Sequence, residues 1–467
     1  MTSYAPLLQP DKGQPATAIH LIDKASLDIW LSAQPERVRG IVAAQGFKGE
    51  AAQLAILPGE RLDWSVALAV ADAAKPEFWC LAKAAESLPE GIYRLEGCSP
   101  GDAALGWLLG QYRFDRLKAE KPRKGARILL TDQPARIDEI TALAEATVLV
   151  RDLVNLPAGD LGPAELQATA ESLATEYGAA ITVTQGAELA HGYPMIAAVG
   201  AAAAADRQPR LVELSWGDAN APRVAIVGKG VIFDTGGLDI KGAAGMRLMK
   251  KDMGGAAHAL ALARLVMARR LPVCLHLLLP IAENAISSTA FRPGDVLKSR
   301  KGLTVEIGNT DAEGRLILAD ALTRAVEDQP ELIIDFATLT GAARVALGPD
   351  LPALFANRDD VADALVAGGA KVSDPVWRMP LWAPYGEMFT SDIADLNNAS
   401  EGAFAGAVVA ALFLQRFVAD EIPWAHFDTF AWRPAAKPGR PKGGDALGVR
   451  AAWEMLKARY GGEAHTG

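Results

Sequence analysis

The chain has 467 residues, half of them hydrophobic, and a formal net charge of −9 at pH 7. This length exceeds one typical hydrophobic core and predicts two domains. The acidic balance argues against a general nucleic-acid or membrane surface, and no apolar run is long enough to span a bilayer. No basic segment followed by an apolar core opens the sequence, so we expect no signal peptide. Three cysteines without metal-ligand spacing predict reduced thiols in a cytoplasmic protein.

The first third of the chain alternates short apolar runs with polar segments, which predicts an α/β domain over residues 1–135. The predicted strands are Arg37–Phe47, Ala51–Gly59, Gly91–Gly97 and Ala126–Asp132. Ala104–Lys118 has the apolar spacing of an amphipathic helix. The region holds no acidic cluster and no phosphate-binding loop, so we expect it to serve assembly or access to a site elsewhere.

A connecting helix is predicted over residues 136–155, where apolar residues recur at near-helical spacing before Pro157. Residues 156–467 then alternate strand-like and helix-like segments, which favours a mainly parallel central sheet flanked by helices. The predicted fold class is therefore α/β, with a smaller N-terminal α/β domain and a larger C-terminal domain. In such folds the functional side chains collect where strands end.

The first acidic stretch follows the strand-like run Arg223–Phe233, which Lys229 interrupts. A lysine inside a buried strand is costly unless it is paired, deprotonated or bound to something. Asp234 follows the run, and Asp252 lies at the end of the glycine-rich loop, before a helix predicted over Gly254–Arg270. A solvated loop with scattered charges is the alternative interpretation, and it leaves Lys229 unexplained.

The second acidic stretch is the octapeptide Asn309–Leu316, NTDAEGRL, between an apolar run at Gly302–Gly308 and a predicted helix. On a turn, Asp311 and Glu313 converge, and converging carboxylates repel unless a proton or a cation lies between them. The alternative is a helix N-terminus with acids against the helix dipole and with Asn309 or Thr310 as the cap. Together the two stretches supply four carboxylates and one amine, enough ligands for two metal ions if some of them bridge.

From about Arg151 onwards the chain resembles the leucyl aminopeptidase family of dinuclear metallo-aminopeptidases. Besides NTDAEGRL, the resemblance rests on the blocks VGKG, FDTGG, KDMGGAA, ATLTGA, WRMPL, SDIADLNN and WAHFD. It implies a C-terminal catalytic domain that releases N-terminal residues, with leucine and similar apolar residues preferred, from peptides with a free N-terminus. It also implies a homohexamer with active sites that face an internal cavity.

The same resemblance implies residue roles. A water bridging two divalent ions, Mn²⁺ or Zn²⁺, would attack the peptide bond, and the ions would be held by Lys229, Asp234, Asp252, Asp311 and Glu313. Lys241 would stabilise the oxyanion. Arg315 would hold a bicarbonate ion that acts as general base. The pocket for the first side chain would be lined by Met249, Thr338 and Gly341, although Met249 could also be an ordinary core residue.

Two interpretations from other classes stay open at this point. A catalytically silent family member with a scaffolding or DNA-binding role would keep the fold, but every expected ligand is present. A two-metal phosphoesterase would more often use histidine ligands, and neither acidic stretch contains a histidine. We therefore expect His258 and His426 to be packed side chains rather than a general base.

Overall fold

The structure is a computed structural model that describes residues 4–60, 63–119 and 125–462. The first three residues, on which the signal-peptide expectation partly depends, lie outside this description. Two compact units divide the chain. Among the described residues, the first runs to Val148 and includes residues 435–442, whereas the second comprises Leu149–Pro434 and residues 443–462. Among the described helices, none combines the length and hydrophobicity that a membrane span requires.

The first unit is built on a six-stranded sheet. Its strands are β1 (Leu8–Pro10), β2 (Thr17–Ile22), β3 (Leu54–Pro58), β4 (Trp64–Ala69), β5 (Gly91–Leu95) and β6 (Arg127–Thr131). Its helices are α1 (Leu27–Ser32), α2 (Glu36–Ala44), α3 (Ala82–Ser87) and α4 (Ala103–Leu109), and α5 (Ile137–Asn155) contains the boundary between the units. The strand order is β1-β6-β5-β2-β4-β3, and only the edge strand β3 is antiparallel to its neighbour.

Two predictions in this unit are wrong. Arg37–Phe47 is not a strand, because Val38 and Val42 pack one helical face of α2 into the cluster beneath the sheet. The helix predicted over Ala104–Lys118 ends at Leu109 and is buried on every side instead of being amphipathic. Its close packing explains this burial, since a Cβ at Gly110 would lie 2.6 Å from a carbonyl oxygen of α3.

The second unit contains a nine-stranded sheet and two small ones. Its strands are β7 (Ala180–Gln185), β8 (Arg210–Trp216), β9 (Arg223–Gly228), β10 (Gly230–Asp234), β11 (Cys274–Asn284), β12 (Val296–Lys298), β13 (Thr304–Glu306), β14 (Leu332–Ala337), β15 (Ala353–Ala356), β16 (Trp377–Arg378), β17 (Leu396–Asn397), β18 (Trp424–Asp428), β19 (Trp432–Arg433) and β20 (Gly443–Gly444). The main sheet has the order β16-β15-β18-β14-β9-β11-β8-β7, and β10 also pairs with β11.

Helices surround this sheet. They are α6 (Pro163–Tyr177), α7 (Gly186–Gly192), α8 (Pro194–Val199), α9 (Ala243–Met246), α10 (Gly254–Ala268), α11 (Glu313–Glu327), α12 (Gly341–Leu347), α13 (Asp359–Lys371), α14 (Gly406–Gln415) and α15 (Val449–Tyr460). The strands β18, β14, β9 and β11 are mutually parallel, and so is β10 against β11. The predicted α/β fold with a mainly parallel central sheet is confirmed. The apolar run before the octapeptide is β13, which lies in a small sheet with β12 and β17.

Candidate active site

The candidate site lies at the carboxyl ends of the central strands of the second unit. Asp234 ends β10, Asn284 ends β11, Thr338 follows β14 and Asp428 ends β18. Because these strands are parallel, their last residues meet at one edge of the sheet, where α/β folds bind ligands. A cavity of about 620 Å³ opens at this edge and is lined by three of these four residues together with the octapeptide.

Lys229 lies at a break between two strands that the sequence predicts as one. Both β9 and β10 pair in parallel with the long strand β11, and Lys229 lies between them. Its amide donates to the carbonyl oxygen of Phe336 at 2.9 Å, and its own carbonyl accepts from the amide of Ala256 at 2.8 Å. The break therefore leaves the lysine backbone fully bonded, and its side chain lines the cavity.

Glycines let the backbone approach this lysine closely. A Cβ at Gly255 in α10 would lie 2.9 Å from the Lys229 amide nitrogen. A Cβ at Gly314 in α11 would lie 2.6 Å from Lys229 Nζ and 2.8 Å from Lys229 Cδ. The glycine of NTDAEGRL is thus needed for room, because the lysine side chain lies against the first turn of α11.

The structure brings all five predicted metal ligands together. Asp234, Asp252 and Glu313 are at most 3% exposed, and each offers an oxygen within 4.8 Å of the other two. The ammonium of Lys229 lies 2.6 Å from Asp252 Oδ2 and 2.9 Å from Glu313 Oε1. Asp311 joins the cluster through Lys241, which the resemblance places at the substrate.

Lys241 links the two acidic stretches. Its Nζ lies 2.8 Å from Asp234 Oδ2 and also contacts Asp311 Oδ1. The two lysine ammonium groups therefore supply the positive charge that holds four carboxylates together in this structure. Both lysines line the cavity, and the side chain of Lys241 keeps 16% of its surface exposed there.

The electrostatics of the cluster favour a cation. Burial and the neighbouring Asp234 carboxylate raise the pKa of Glu313 to about 8 and that of Asp311 to about 6. Burial opposes the charge of Lys229, but the carboxylates of Asp252 and Glu313 still raise its pKa above the ordinary lysine value. Neither oxygen of Glu313 accepts a hydrogen bond of ordinary geometry from the described residues. The donor set therefore fits the divalent metal ions that the sequence predicts.

Two of the predicted ligands are oriented by residues without charge. Asp234 Oδ1 accepts from the amide of Gly236 and from Nδ2 of Asn284, each at 2.9 Å. The hydroxyl of Thr338 donates to Asp252 Oδ1 at 2.9 Å. Sequence reasoning misses Asn284, whose only signal is its position at the end of a buried strand, and it assigns Thr338 only to the substrate pocket.

The octapeptide is held from outside by Asn398. Its side-chain oxygen accepts from the amides of Gly308 and Asn309, and its side-chain nitrogen donates to the carbonyl oxygens of Asn309 and Ala312. The helix α11 begins at Glu313, so an acid does lie in its first turn, but no side chain caps it and the predicted caps Asn309 and Thr310 are wrong. Sequence reasoning missed Asn398, although SDIADLNN carries the resemblance.

Arg315 extends from the same turn along the cavity wall. Its Nη1 donates to the carbonyl oxygen of Asn398 at 2.7 Å, and burial lowers its pKa to about 10. Its Nε is buried and donates to no described residue. A guanidinium held at one end, with an unused donor at the other, is suited to binding a small anion.

The predicted pocket residues Met249, Thr338 and Gly341 all line this cavity. The loop from Thr338 to Gly341 is fixed by Asp428, which sequence reasoning did not assign. Asp428 Oδ1 accepts from the amide of Leu339 at 2.9 Å, and Oδ2 accepts from the hydroxyl of Thr340 at 2.6 Å. The same hydroxyl caps α12.

The two histidines are packed side chains, as the sequence predicts. His258 Nδ1 lies 2.6 Å from the carbonyl oxygen of Gly254, and its Nε2 accepts from the amide of Leu447. His426 Nδ1 lies 2.6 Å from Asp335 Oδ1, and both residues are fully buried. Neither histidine lines the cavity.

Comparison with known proteins places this geometry in a family. Residues 148–453 match the model of the cytosol aminopeptidase family catalytic domain, and residues 17–131 match the M17 aminopeptidase N-terminal domain. The probable cytosol aminopeptidase of Roseiflexus castenholzii is 43% identical over 369 residues, which cover 75% of each chain. The two family models therefore match parts of both the N-terminal and the C-terminal domain predicted from the sequence.

Solved structures agree with the sequence relatives. The cytosol aminopeptidase from Coxiella burnetii superposes with a TM-score of 0.91 at 45% identity, covering 97% of this chain and 99% of its own. The bottromycin maturation enzyme BotP in complex with Mn superposes with a TM-score of 0.86 at 33% identity, covering 96% of this chain and 100% of its own. The chain belongs to the cytosol aminopeptidase family and is a metal-dependent aminopeptidase.

Proposed function

We propose that the buried cluster holds two divalent ions, Mn²⁺ or Zn²⁺, through Lys229, Asp234, Asp252, Asp311 and Glu313. The observation that carries the proposal is the convergence of three buried carboxylates within 4.8 Å, one of which accepts no hydrogen bond of ordinary geometry from the described residues. Carboxylate oxygens with one amine suit these ions, and the complex of BotP with Mn supports the choice. Bound ions would lower the pKa of a water molecule and polarise the peptide carbonyl.

Lys229 has a double role in this proposal. As an ammonium group it neutralises Asp252 and Glu313, which lie within 3 Å of its Nζ. It can bind a metal ion only as the neutral amine, so the ion must take over the charge compensation that the proton supplies. The glycine at Gly314 leaves the space in which its Nζ meets the carboxylates.

Lys241 and Arg315 would act on the substrate. Lys241 Nζ lies at the cavity between Asp234 and Asp311, where it would donate to the oxygen of the scissile carbonyl as negative charge develops. Arg315 would hold a bicarbonate ion, which would supply a base with a near-neutral pKa. The unused Nε of Arg315 and the absence of His258 and His426 from the cavity lining support this role.

The substrate would enter with its free α-amine at the cluster and its first side chain beside Met249, Thr338 and Gly341. The apolar thioether of Met249 suits leucine-like side chains. A blocked amine would lose its place at the cluster, so N-acetylated peptides would not be cleaved. The comparisons give no support to a silent scaffolding or DNA-binding role, since the relatives from Roseiflexus castenholzii and Coxiella burnetii are named as aminopeptidases.

We further propose a homohexamer in the cytoplasm. Exposed aromatic side chains in the second unit would be covered by a neighbouring subunit: Trp377 is 58% exposed, Trp382 56% and Phe404 83%. The cytoplasmic location rests on the name of the cytosol aminopeptidase relatives and on three cysteines that are free thiols. Sedimentation of the purified protein tests the subunit count.

The assignment is tested with metal-stripped protein to which Mn²⁺ or Zn²⁺ is added back. We expect two ions per chain and restored cleavage of leucine p-nitroanilide, with none of its N-acetyl derivative. Asp311→Ala should bind fewer ions and stay inactive. Glu283→Gln is the matched control, because this neighbouring acid pairs with Arg207 outside the cluster and its loss should leave metal content and rate within about twofold. Full metal content and activity in Asp311→Ala would contradict the ligand assignment.

A further inference from the structure

Two positive side chains that line the cavity have no part in the proposed metal cluster or in the proposed roles of Lys241 and Arg315. They are Lys251, which is 5% exposed, and Arg344, which is exposed on α12. Both flank the ring of Phe430, another lining residue. Lys251 Nζ lies 5.7 Å from the ring centroid, and the guanidinium carbon of Arg344 lies 4.9 Å from it.

Lys251 is short of negative charge. Its one ion pair among the described residues is with Asp252 Oδ1, at 3.2 Å. The Asp252 carboxylate is shared, because Lys229 lies 2.6 Å from Oδ2 and Thr338 donates to Oδ1. A buried ammonium needs a well-placed counter-charge, and this one is already committed to the cluster.

Arg344 has even less compensation. Its guanidinium donates no hydrogen bond and forms no ion pair within the described part of the chain, apart from its contact with the Phe430 ring. It lies beside Gly341, because a Cβ there would be 3.8 Å from Arg344 Nη2. Asp428, another acid that lines the cavity, is engaged by the amides of Leu339 and Thr340.

We infer that the pocket for the first side chain also accepts a carboxylate, bound by Lys251 and Arg344, so that peptides beginning with glutamate or aspartate are substrates. The inference rests on the proposed position of that side chain beside Met249, Thr338 and Gly341. Phe430 and Met249 contact the methylene groups, and the carboxylate supplies the negative charge that the two cations lack. A leucine side chain uses only the apolar part of the same pocket.

The test compares kcat/KM for glutamate, aspartate and leucine p-nitroanilides with metal-loaded protein. Arg344→Met keeps the length and apolar stem of the arginine but removes its charge. We expect the glutamate-to-leucine ratio to fall about tenfold, as loss of one charge-assisted hydrogen bond produces. Arg247→Met is the matched control, since Arg247 is exposed on the same unit but does not line the cavity, and its ratio should not change.

Lys251→Met provides a second variant whose metal content is measured in parallel. A lower glutamate-to-leucine ratio with two ions retained supports the inference. Cleavage of leucine but not glutamate by the wild type, or an unchanged ratio in Arg344→Met and Lys251→Met, would overturn it. If the wild type cleaves no aminoacyl substrate, the proposed function fails, and calorimetry then decides the inference: L-glutamate must bind the wild type more tightly than Arg344→Met.

Discussion

Replacing Gly314 with alanine is expected to push the Lys229 side chain out of the cluster. The new Cβ would lie 2.6 Å from Lys229 Nζ and 2.8 Å from Cδ, well inside contact distance. Alanine gains about 1 kcal/mol of helix propensity over glycine. Separating Lys229 from its two buried carboxylate partners costs about 3–5 kcal/mol. The displaced ion pairs therefore outweigh the propensity gain, and we expect a net loss of about 2–4 kcal/mol.

The assay follows thermal unfolding, metal content and cleavage of leucine p-nitroanilide in the same preparations. Gly314→Ala should unfold at a lower temperature, bind fewer ions and lose most activity. Gly40→Ala is the matched control, because Gly40 is also in a helix but a Cβ added there would meet no atom within 4 Å. Its stability should stay equal or rise. Wild-type metal content and rate in Gly314→Ala would refute the claim that Lys229 lies against this turn as a ligand.

Two further predictions concern His258 and Asn398. Burial lowers the pKa of His258 to about 4. Between about pH 6.5 and pH 4 the imidazole is therefore protonated in the unfolded chain but neutral in the folded chain. As the pH falls through this range, the free energy of unfolding should decrease by about 1.4 kcal/mol per pH unit because of this group. Urea unfolding at several pH values should show a weaker dependence in His258→Asn, and an identical slope would contradict the assignment. Asn398→Ala leaves the amides of Gly308 and Asn309 without their acceptor and should lower kcat/KM at least about tenfold while circular dichroism stays native. An unchanged rate would show that the turn keeps its shape without Asn398.

The charged residues of the site can be predicted from the sequence because each of them interrupts or follows a segment that is otherwise apolar or glycine-rich. Lys229 interrupts an apolar run, which demands a counter-charge, and the structure supplies Asp252 and Glu313. The uncharged supports offer no such contradiction. Asn398 bonds to amides about 90 residues earlier in the chain, and nothing near it in the sequence indicates that pairing. The sequence around Asn284 likewise gives no indication of its role, because asparagine is common at the end of a strand.

The errors in the first unit have a related cause. The segment Arg37–Phe47 contains a short apolar run that suits a strand or a buried helix face equally well, and local pattern alone does not separate the two. The neighbouring strands β3 and β4 decide the matter, because α2 covers the cluster they share. The helix α4 is buried on every side because its backbone lies directly on α3, a tertiary contact that the local sequence pattern does not show.

The long strand β11 has a consequence for its own composition. It pairs with β9 through Leu278 and with β10 from Ile281, so Pro280 falls between the two registers. A proline inside a central strand normally removes a ladder donor and weakens the sheet. Here it lies at the level where the neighbouring strand is broken at Lys229, whose carbonyl oxygen accepts instead from the amide of Ala256. Two residues therefore mark the strand break that presents Lys229 to the cavity: Lys229 itself, between β9 and β10, and Pro280 in the adjacent strand β11.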